Sequence, residues 1–406
     1  MTDTTALKAR LRRAERGRQL AAAGLVLPLV IFLLLTFALP IGGMLWRAVG
    51  DEEVAVALPR TVMALKGWDG RAVPDAPVFA ALAADLPEAK DAGTLPAAAR
   101  RLNYDVPGFR SLLLKSARGA LPQDPAGARE ALLAIDPEWS DAERWGAIQR
   151  AGGPLTSFYL LTAVDLHQTA DGSILRRPAQ ESIYLDVLGR SFQISILVTV
   201  FCLLLGFPVA YLLAVLPPRL GNPLMILVLL PFWTSLLVRT TAWVVLLQNK
   251  GIVNDSLIAL GILQEPTQLI YNRIGVYVAM THVLLPFMIL PLYSVMRGIS
   301  PSFVRAARSL GAPPTTAFLR VYLPQCLPGI GAGCLLVFVL ALGYYITPAL
   351  VGGAGDQMIA YFIAFYTTAT INWGLASALG VVLLVATLML CATYNKLVGF
   401  DRVALR

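Results

Sequence analysis

The chain has 406 residues, of which 57% are hydrophobic and only 14% are charged. Soluble globular proteins carry about 25% charged residues, so this composition excludes an ordinary soluble fold and indicates a surface in contact with lipid. The net charge of +8 is unevenly distributed. Residues 47–189 hold 15 of the 33 Lys/Arg and 19 of the 25 Asp/Glu, which leaves 18 and 6 for the remainder. The basic excess lies beside the apolar segments, which argues for membrane orientation and against nucleic-acid binding.

Six apolar runs are long enough to cross a bilayer, which takes about 20 helical residues each. Helices are expected, because lipid offers no partner to an unpaired backbone group. The first run follows a basic flank, but it is too long for a signal peptide and lacks a small-residue cleavage site, so we interpret it as a retained span. The sequence predicts an all-α membrane protein with six transmembrane helices: Leu20–Trp46, Phe192–Leu216, Leu224–Leu247, Ile274–Met296, Ile330–Val351 and Leu375–Tyr394.

Lys and Arg beside the spans predict the orientation, because short cytoplasmic flanks carry an excess of them. Three segments are basic, and six spans place all three on one side, so both termini are expected in the cytoplasm. The loop at 248–273, by contrast, balances two basic residues with Asp255 and Glu265. The basic residues are Lys8, Arg10, Arg12, Arg13, Arg16 and Arg18 in the tail (1–19), Arg297, Arg305, Arg308 and Arg320 in the connection 297–327, and Lys396, Arg402 and Arg406 at the end.

Residues 47–189 form a large insert between the first and second spans, predicted to lie outside the cytoplasmic membrane. Val78–Ala84 and Arg129–Ile135 have helical patterns, whereas Tyr159–Val164 and Ser182–Val187 fit strands or helices. About 140 residues can bury a modest core. All four cysteines lie outside the insert, so no disulfide is expected in it. A core of five helices is predicted to follow at 190–400.

The sequence contains no recognised motif for catalysis, phosphate binding or metal binding. The sequence has no phosphate-binding G-x-x-x-x-G-K-[ST] loop, no G-x-S-x-G motif and no Cys/His cluster with metal-ligand spacing. We therefore predict no catalytic residue, no metal site and no cofactor in this chain. The Gly329-x-x-x-Gly333 repeat opens a predicted span, where close helix packing is the expected role.

The connection at 297–327 is far longer than the 2–8 residues that usually join helices. Ser300-Pro301 is a helix start, and Gly311 is suited to end that helix. Pro313-Pro314 then breaks the chain, and a second short helix is predicted to begin at Thr315 or Thr316 and to run to Leu323-Pro324. The alternative is an ordinary connector, but four arginines and a small-residue patch favour a docking surface.

Arg305-Ala306-Ala307-x-x-x-Gly311, followed after nine residues by Val321-x-Leu323-Pro324, resembles the "EAA" loop of ATP-binding cassette (ABC) importer permeases. In that family the loop is a coupling helix seated in a groove of a separate ATPase subunit. Arg305 stands where the family usually has Glu, and Val321 where it often has Ile. The resemblance implies an ATPase-coupling set of Arg305, Ala306, Ala307, Arg308, Gly311, Leu323 and Pro324.

Other motifs within 190–400 are similar to the spermidine/putrescine type of these binding-protein-dependent transport system inner-membrane components. They are Leu230–Trp243, Gly251–Asn254 and Tyr344–Gly353. The resemblance implies a multi-pass protein of the bacterial inner membrane, without a cofactor of its own. Its implied partners are a second permease, two copies of an ATP-binding subunit that holds ATP and Mg, an extracytoplasmic solute-binding protein, and lipid.

Residues of the translocation path or gate are also implied. Arg239, fifteen residues into the third span, is costly in lipid, at about 3 kcal/mol. It either snorkels outward with Trp243 at the interface or lines the path. His282 is expected to be a neutral histidine hydrogen-bonded to a neighbouring helix, with a substrate ligand as the alternative. The path set is Arg239, Trp243, Tyr344, Tyr345, Asp356, Tyr361, Phe365 and Tyr366.

Met358–Ile371 is too short to span and is predicted to lie at the interface or to re-enter, as part of an outer gate. A polyamine favours carboxylates such as Asp356 and aromatic faces such as those of Tyr361, Phe365 and Tyr366. An interfacial aromatic belt is the alternative for these rings. Arg239 counts against a polycation unless a carboxylate of another chain compensates it.

The function that follows is a permease subunit of an ATP-driven importer of a small organic solute, with a polyamine expected. Three alternatives stay open: an ABC importer of an amino-acid derivative or organophosphonate, an ATP-independent transporter or channel, and a membrane-anchored enzyme. A secondary transporter is expected to show ionisable residues in several spans or an internal repeat, and neither is evident. The insert carries no nucleophile, metal or cofactor pattern of an enzyme.

Overall fold

A computed structural model describes Arg18 and residues 22–119, 121–122 and 124–398. The predicted cytoplasmic tail apart from Arg18, the start of the first span and the terminal arginines Arg402 and Arg406 lie outside these residues. The chain divides into two compact units, Met1–Tyr159 and Leu160–Arg406. Each unit is built almost entirely of helices.

The first unit begins with one long apolar helix, which is followed by short helices. Their bounds are α1 Ala22–Trp46 with a π turn at Leu34–Ala38, α2 Glu53–Ala57, α3 Pro59–Ala64, α4 Ala76–Asp91, α5 Leu95–Asp105, α6 Phe109–Ser116, α7 Pro125–Ile135, a 3₁₀ turn Pro137–Ser140 and α8 Ala142–Arg150; α9, Phe158–Ala163, crosses the division. The stretches around 78–84 and 129–135 are helical, as predicted.

The short helices of this unit bury a hydrophobic core of their own. Its centre is aromatic: the Phe79 and Trp145 ring centroids lie 4.6 Å apart, and those of Trp139 and Trp145 lie 5.0 Å apart. Both indole N–H groups are satisfied, because Trp139 donates to the Ser116 hydroxyl and Trp145 to the Trp139 carbonyl. The four cysteines all lie in the second unit, so this core forms without a disulfide.

A buried ion pair lies beside this core. Arg101 Nε donates to Asp51 Oδ2 at 2.5 Å, and both side chains are almost inaccessible to solvent. The guanidinium also lies 4.3 Å from the centroid of the Phe158 ring. Burial raises the pKa of the Asp51 carboxyl, while the charge of Arg101 acts in the opposite direction. Loss of either partner would leave an uncompensated buried charge, which costs about 3–5 kcal/mol.

The second unit holds the remaining elements. They are β1 Leu166–Gln168, β2 Ile174–Arg176, α10 Tyr184–Val215, α11 Pro218–Leu229 with a 3₁₀ turn Leu230–Trp233, α12 Leu236–Leu246, α13 Ile252–Ala259, α14 Arg273–Gly298, α15 Pro301–Ser309, α16 Pro314–Gly343, α17 Ile346–Val351, a 3₁₀ turn Ala354–Asp356, α18 Ile359–Thr368 and α19 Trp373–Val398. The antiparallel hairpin β1–β2 is a feature that the sequence analysis did not predict.

Helices α10, α14 and α16 pack together to form the core of the second unit, around Val198, Met288 and Val337. Glycines permit this approach: a Cβ on Gly333 would lie 2.8 Å from the Met288 sulfur, and one on Gly329 would lie 3.0 Å from Val295 Cβ. The predicted close packing through Gly329 and Gly333 is therefore confirmed.

Within the described residues, five helices are long and apolar enough to cross a membrane, namely α1, α10, α14, α16 and α19. The pair α11–α12 becomes a sixth span if it is counted as one, although the two helices are bent by 98° at their break. The all-α membrane class is thus confirmed. The predicted span Leu224–Leu247 is not one continuous helix, because the backbone is extended at Thr234 and Ser235, and the Ser235 hydroxyl caps a new helix by accepting from Val238 N.

The predicted fifth span, Ile330–Val351, is also misplaced. The helix α16 runs from Pro314 to Gly343, the backbone is extended at Tyr344, and α17 follows. Pro348 explains the break, because it has no N–H for the Tyr344 carbonyl four residues earlier and its ring would clash with that carbonyl.

The second short helix of the 297–327 connection was predicted to end at Leu323-Pro324, which is wrong. It begins at Pro314 and continues as α16 through a π turn at Phe318–Tyr322. The wider turn changes the hydrogen-bond register just before Pro324, whose ring nitrogen has no hydrogen to donate.

Candidate functional site

The 297–327 connection, hereafter the arginine-rich connection, holds a short helix with defined ends. The Ser300 hydroxyl accepts from Ser302 N at the start of α15, where Pro301 is the first helical residue. After α15, Gly311 has a φ of +89°, in the left-handed region that favours glycine. The predicted start at Ser300-Pro301 and the predicted helix-ending role of Gly311 are confirmed.

Helix α15 has two different faces. One face lines a cavity of about 580 Å³ formed with the adjoining ends of α10, α14 and α16. The residues on this face recur at helical spacing: Pro301, Val304, Arg305 and Arg308. Two members of the predicted coupling set, Arg305 and Arg308, therefore face the cavity.

The opposite face of α15 is apolar and uncovered in the described part of the chain. Leu310, just past the last turn, is 89% exposed, and Phe303 is 53% exposed. Ala306 lies between them and is also exposed, with Ala307 partly so. This surface, Phe303, Ala306, Ala307 and Leu310, is hereafter the docking face. Phe303 and Leu310 were not among the predicted coupling residues, although their spacing around the alanines marks one side of a helix.

Leu323 and Pro324, also in the predicted coupling set, are not on the docking face. They lie on α16 directly after the π turn, where Leu323 is partly buried and Pro324 exposed. The structure therefore divides the coupling motif among the docking face, the cavity and the base of a long span.

A polar cluster lies where α12, α14 and the break before α17 meet. Trp243 Nε1 donates to His282 Nδ1 at 3.1 Å, which makes His282 Nε2 the protonated nitrogen of a neutral ring. The expected hydrogen bond of His282 to a neighbouring helix is thus present. Arg239 lies close enough to Tyr344 for its positive charge to act on the tyrosine hydroxyl. Thr240 and Thr347 hydroxyls, 3.3 Å apart, link α12 to α17.

Arg239 brings a charge into this cluster without an acidic neighbour. Its Nε is buried and has no hydrogen-bond partner among the described residues, where no ion pair involves Arg239 either. Such a group needs a partner or a wet cavity, because an unpaired charge within a membrane is costly. Arg239 and Trp243 thus lie near His282 and Tyr344 in the structure. Tyr344 is followed directly by the exposed Tyr345.

Asp356 does not provide the free outer carboxylate that the sequence suggested. It is buried, and Arg273 Nε donates to its Oδ1 at 2.9 Å, while Gly353 N donates to Oδ2. Arg190 donates to the Gly355 carbonyl beside it. The Asp356 charge is therefore compensated within the chain, and the residue holds together the turn that precedes α18.

Helix α18, Ile359–Thr368, is the short apolar helix predicted within Met358–Ile371. Tyr361 and Phe365 stack with their ring centroids 6.3 Å apart. The Tyr366 hydroxyl lies 2.6 Å from that of Tyr184 on α10, so Tyr366 anchors α18. Phe365 is 40% exposed and Tyr361 partly buried, so these rings form a surface beside the Asp356 turn.

Comparison with known proteins assigns the helical second unit to a family. Residues 203–395 match the family described as "Binding-protein-dependent transport system inner membrane component". The spermidine/putrescine transport system permease protein PotB of Haemophilus influenzae is 39% identical over 220 residues, which cover 53% of this chain and 77% of that protein. The protein of the same name from Escherichia coli K12 is 33% identical over 214 residues, covering 53% and 78%.

A solved structure of a bacterial ABC transporter involved in the import of the acidic polysaccharide alginate is also similar. It covers 52% of this chain and 78% of its own, with a TM-score of 0.42 and 19% identity.

The Asp356 turn yields a testable consequence. Replacing Asp356 by Asn keeps the shape but removes the charge that compensates the half-exposed Arg273. We expect Asp356→Asn to destabilise the turn by about 1–3 kcal/mol and to speed amide hydrogen exchange at residues 352–359. The matched control is Asp255→Asn, because Asp255 is exposed and no ion pair within the described ranges involves it. Equal exchange rates in the two variants would contradict a structural role for the Asp356 charge.

Proposed function

The chain belongs to the family of binding-protein-dependent transport system inner-membrane components, and from that premise we propose that it forms half of the translocation path of an ATP-driven polyamine importer. Membership makes it a multi-pass permease subunit of an ABC importer. In this family, ATP is hydrolysed by a separate subunit. The polyamine is the proposed substrate because the PotB proteins of Haemophilus influenzae and Escherichia coli, which this chain covers to 77% and 78% of their length, are spermidine/putrescine permeases.

The docking face of α15 is the observation that best supports coupling of this chain to an ATP-binding subunit. A helix of nine residues, closed by a left-handed glycine, holds Phe303 and Leu310 out toward the solvent beside two alanines. Small side chains let another backbone approach, and the two large ones supply apolar area that a groove can bury. The proposed occupant is the groove of an ATP-binding subunit that holds ATP and Mg.

The proposed assembly contains this chain, a second permease, two copies of the ATP-binding subunit and an extracytoplasmic solute-binding protein. Closure of the ATPase dimer would displace α15, and α16 would carry the displacement into the membrane, because it is continuous from Pro314, which lines the cavity under α15, to Gly343 beside the polar cluster. Transmission of this kind is a rigid-body movement between two packed states.

The polar cluster is the proposed path segment of this chain. Tyr344 and Tyr345 lie at a helix break, and Arg239 faces the same region from the bent span. Because Arg273 compensates Asp356, this half of the path offers a polycation aromatic faces, while Asp356 gives it no free carboxylate. The carboxylates for a polyamine, and the partner that Arg239 lacks, are then expected on the second permease. Arg239 equally favours a second candidate, a solute that carries an anionic group.

The proposed orientation places the arginine-rich connection and both termini in the cytoplasm, and the helical first unit beyond α1 outside. The excess of Lys/Arg in the short flanks supports it. A cysteine at the exposed position Ala92 should react with a membrane-impermeant thiol reagent in cells stripped of outer-membrane barriers. A cysteine at the exposed Ser309 serves as the control, expected to react only after lysis. The reverse pattern would invert the topology.

Coupling is tested at Gly311. A β-branched residue there is strained at φ +89°, by about 1–2 kcal/mol, and should distort the turn that ends the docking face. We expect Gly311→Val in the complex purified from membranes to lose the ATPase subunit or to hydrolyse ATP without transport. Gly298→Val is the control, since Gly298 is exposed, has an ordinary φ and has no atom within 4 Å of its added Cβ. Wild-type assembly and transport in Gly311→Val would refute the docking assignment.

Substrate charge is tested by uptake of labelled putrescine and spermidine beside glutamate and glycine betaine. We expect saturable polyamine uptake in the wild type, and unchanged or tighter half-saturation in Arg239→Gln, because removal of a cation does not weaken capture of a polycation. Thr241→Val, two residues along α12 and therefore on the opposite side of the helix from Arg239, is the control for the helix itself. Uptake of glutamate without polyamine transport, lost in Arg239→Gln, would overturn the polyamine proposal in favour of an anionic solute.

A further inference from the structure

The cavity beneath α15, whose volume is about 580 Å³, has a lining of cations and aromatic rings. Its charged and aromatic lining residues are Arg297, Arg305, Arg308, Tyr211, Phe318 and Tyr322. No Asp or Glu lines it, and the whole arginine-rich connection contains no acidic residue. Three guanidinium groups therefore share one concave site with no internal counter-charge.

The charges of these arginines are not used elsewhere in the described ranges. None of the three forms an ion pair there. Arg297 makes one hydrogen bond, from its Nη1 to the Ala214 carbonyl at 3.1 Å, which fixes the guanidinium against the end of α10.

The cavity lies at the ends of two membrane spans. Val215, the last residue of α10, and Met296, near the end of α14, both line it. The ring of Tyr211 packs edge-on against those of Tyr322 and Phe318, with centroids 5.4 and 5.9 Å away. Tyrosines of this kind are enriched at the level of lipid headgroups, where one end of the ring is apolar and the other is wet.

We propose that this cavity binds the phosphate group of an anionic phospholipid from the adjacent leaflet. Guanidinium groups bind phosphate through paired, charge-assisted hydrogen bonds, and basic pockets between spans are suited to anionic headgroups. The aromatic wall and Val215 are placed to contact the apolar part of the lipid. A carboxylate from a partner protein is disfavoured, because the face of α15 suited to a partner points away from the cavity.

The proposal gives helix α15 a second role beside that of its docking face. With a lipid phosphate bridging Arg297 on α14 to Arg305 and Arg308 on α15, the helix would be braced from one side while its docking face is engaged from the other. The proposal depends on the membrane location of the chain and not on its substrate or on the direction of transport.

The test measures lipid retention by the whole purified transporter in detergent, by native mass spectrometry. The probes are phosphatidylglycerol, phosphatidylcholine and inorganic phosphate. We expect phosphatidylglycerol to bind and phosphatidylcholine not to. Binding should weaken at least about tenfold in the double variant Arg305→Gln/Arg308→Gln. Arg305→Lys/Arg308→Lys should restore much of it, and Arg320→Gln, an exposed arginine of the same connection that does not line the cavity, should leave it unchanged.

Three results would overturn the proposal. Equal loss in Arg320→Gln would reduce the effect to general surface charge. Displacement of phosphatidylglycerol by millimolar inorganic phosphate, with no preference over phosphatidylcholine, would identify a free-anion site. Binding by the dissociated chain but not by the assembled complex would show that an acidic partner segment fills the cavity. Because transport is not the readout, none of these results depends on the proposed importer function.

Discussion

Within a bilayer, every backbone N–H and C=O group needs a hydrogen-bond partner from the protein itself. In the second unit this requirement is hardest to meet at two broken spans, where the regular helical hydrogen bonds stop. At Thr234 and Ser235, the Thr234 hydroxyl donates to the Pro231 carbonyl and the Ser235 hydroxyl accepts from Val238. At Tyr344, the chain turns into α17, which the Thr240–Thr347 contact joins to α12. Irregular backbone at membrane depth is tolerated where it is buried in protein or lines a wet cavity. The break before α17 lies at the polar cluster, close to Arg239, Trp243 and His282.

Helix α15 shows how one short segment serves two environments. Its nine residues separate an apolar, small-residue face from a face that carries Arg305 and Arg308. A helix of this length is marginal by itself, so its position depends on the Ser300 and Gly311 ends and on what contacts each face. An anionic group in the cavity and a groove on the docking face would each hold it from a different side. The charge reversal at Arg305 is then a feature of the cavity rather than of the docking contact.

The first unit meets a different requirement. A segment of this size has little area with which to build a core, and it has no disulfide to constrain it. Its core concentrates large aromatic side chains, Phe79, Trp139 and Trp145, whose polar atoms all find partners nearby. The Asp51–Arg101 pair is a specific element of this core, because its two residues are 50 positions apart and must meet with full burial. Such a pair favours one arrangement of the helices over others of similar hydrophobicity.

Composition and local pattern determined the membrane class, most of the spans, the helices around 78–84 and 129–135, the ends of α15 and the family. These features depend on residues close together in the chain, such as an apolar run, a Ser-Pro start or a glycine at positive φ. Only the tertiary structure decided that the third span bends, that Pro348 interrupts the fifth, and that the second helix of the connection continues as a span. It also decided that Arg273 compensates Asp356 and that Arg305 and Phe303 face opposite ways. The Arg273–Asp356 pair depends on which distant groups meet, because neither charge nor periodicity specifies a partner 83 residues away. The breaks and the opposed directions of Arg305 and Phe303 follow from short-range backbone geometry once the bounds of the helices are known.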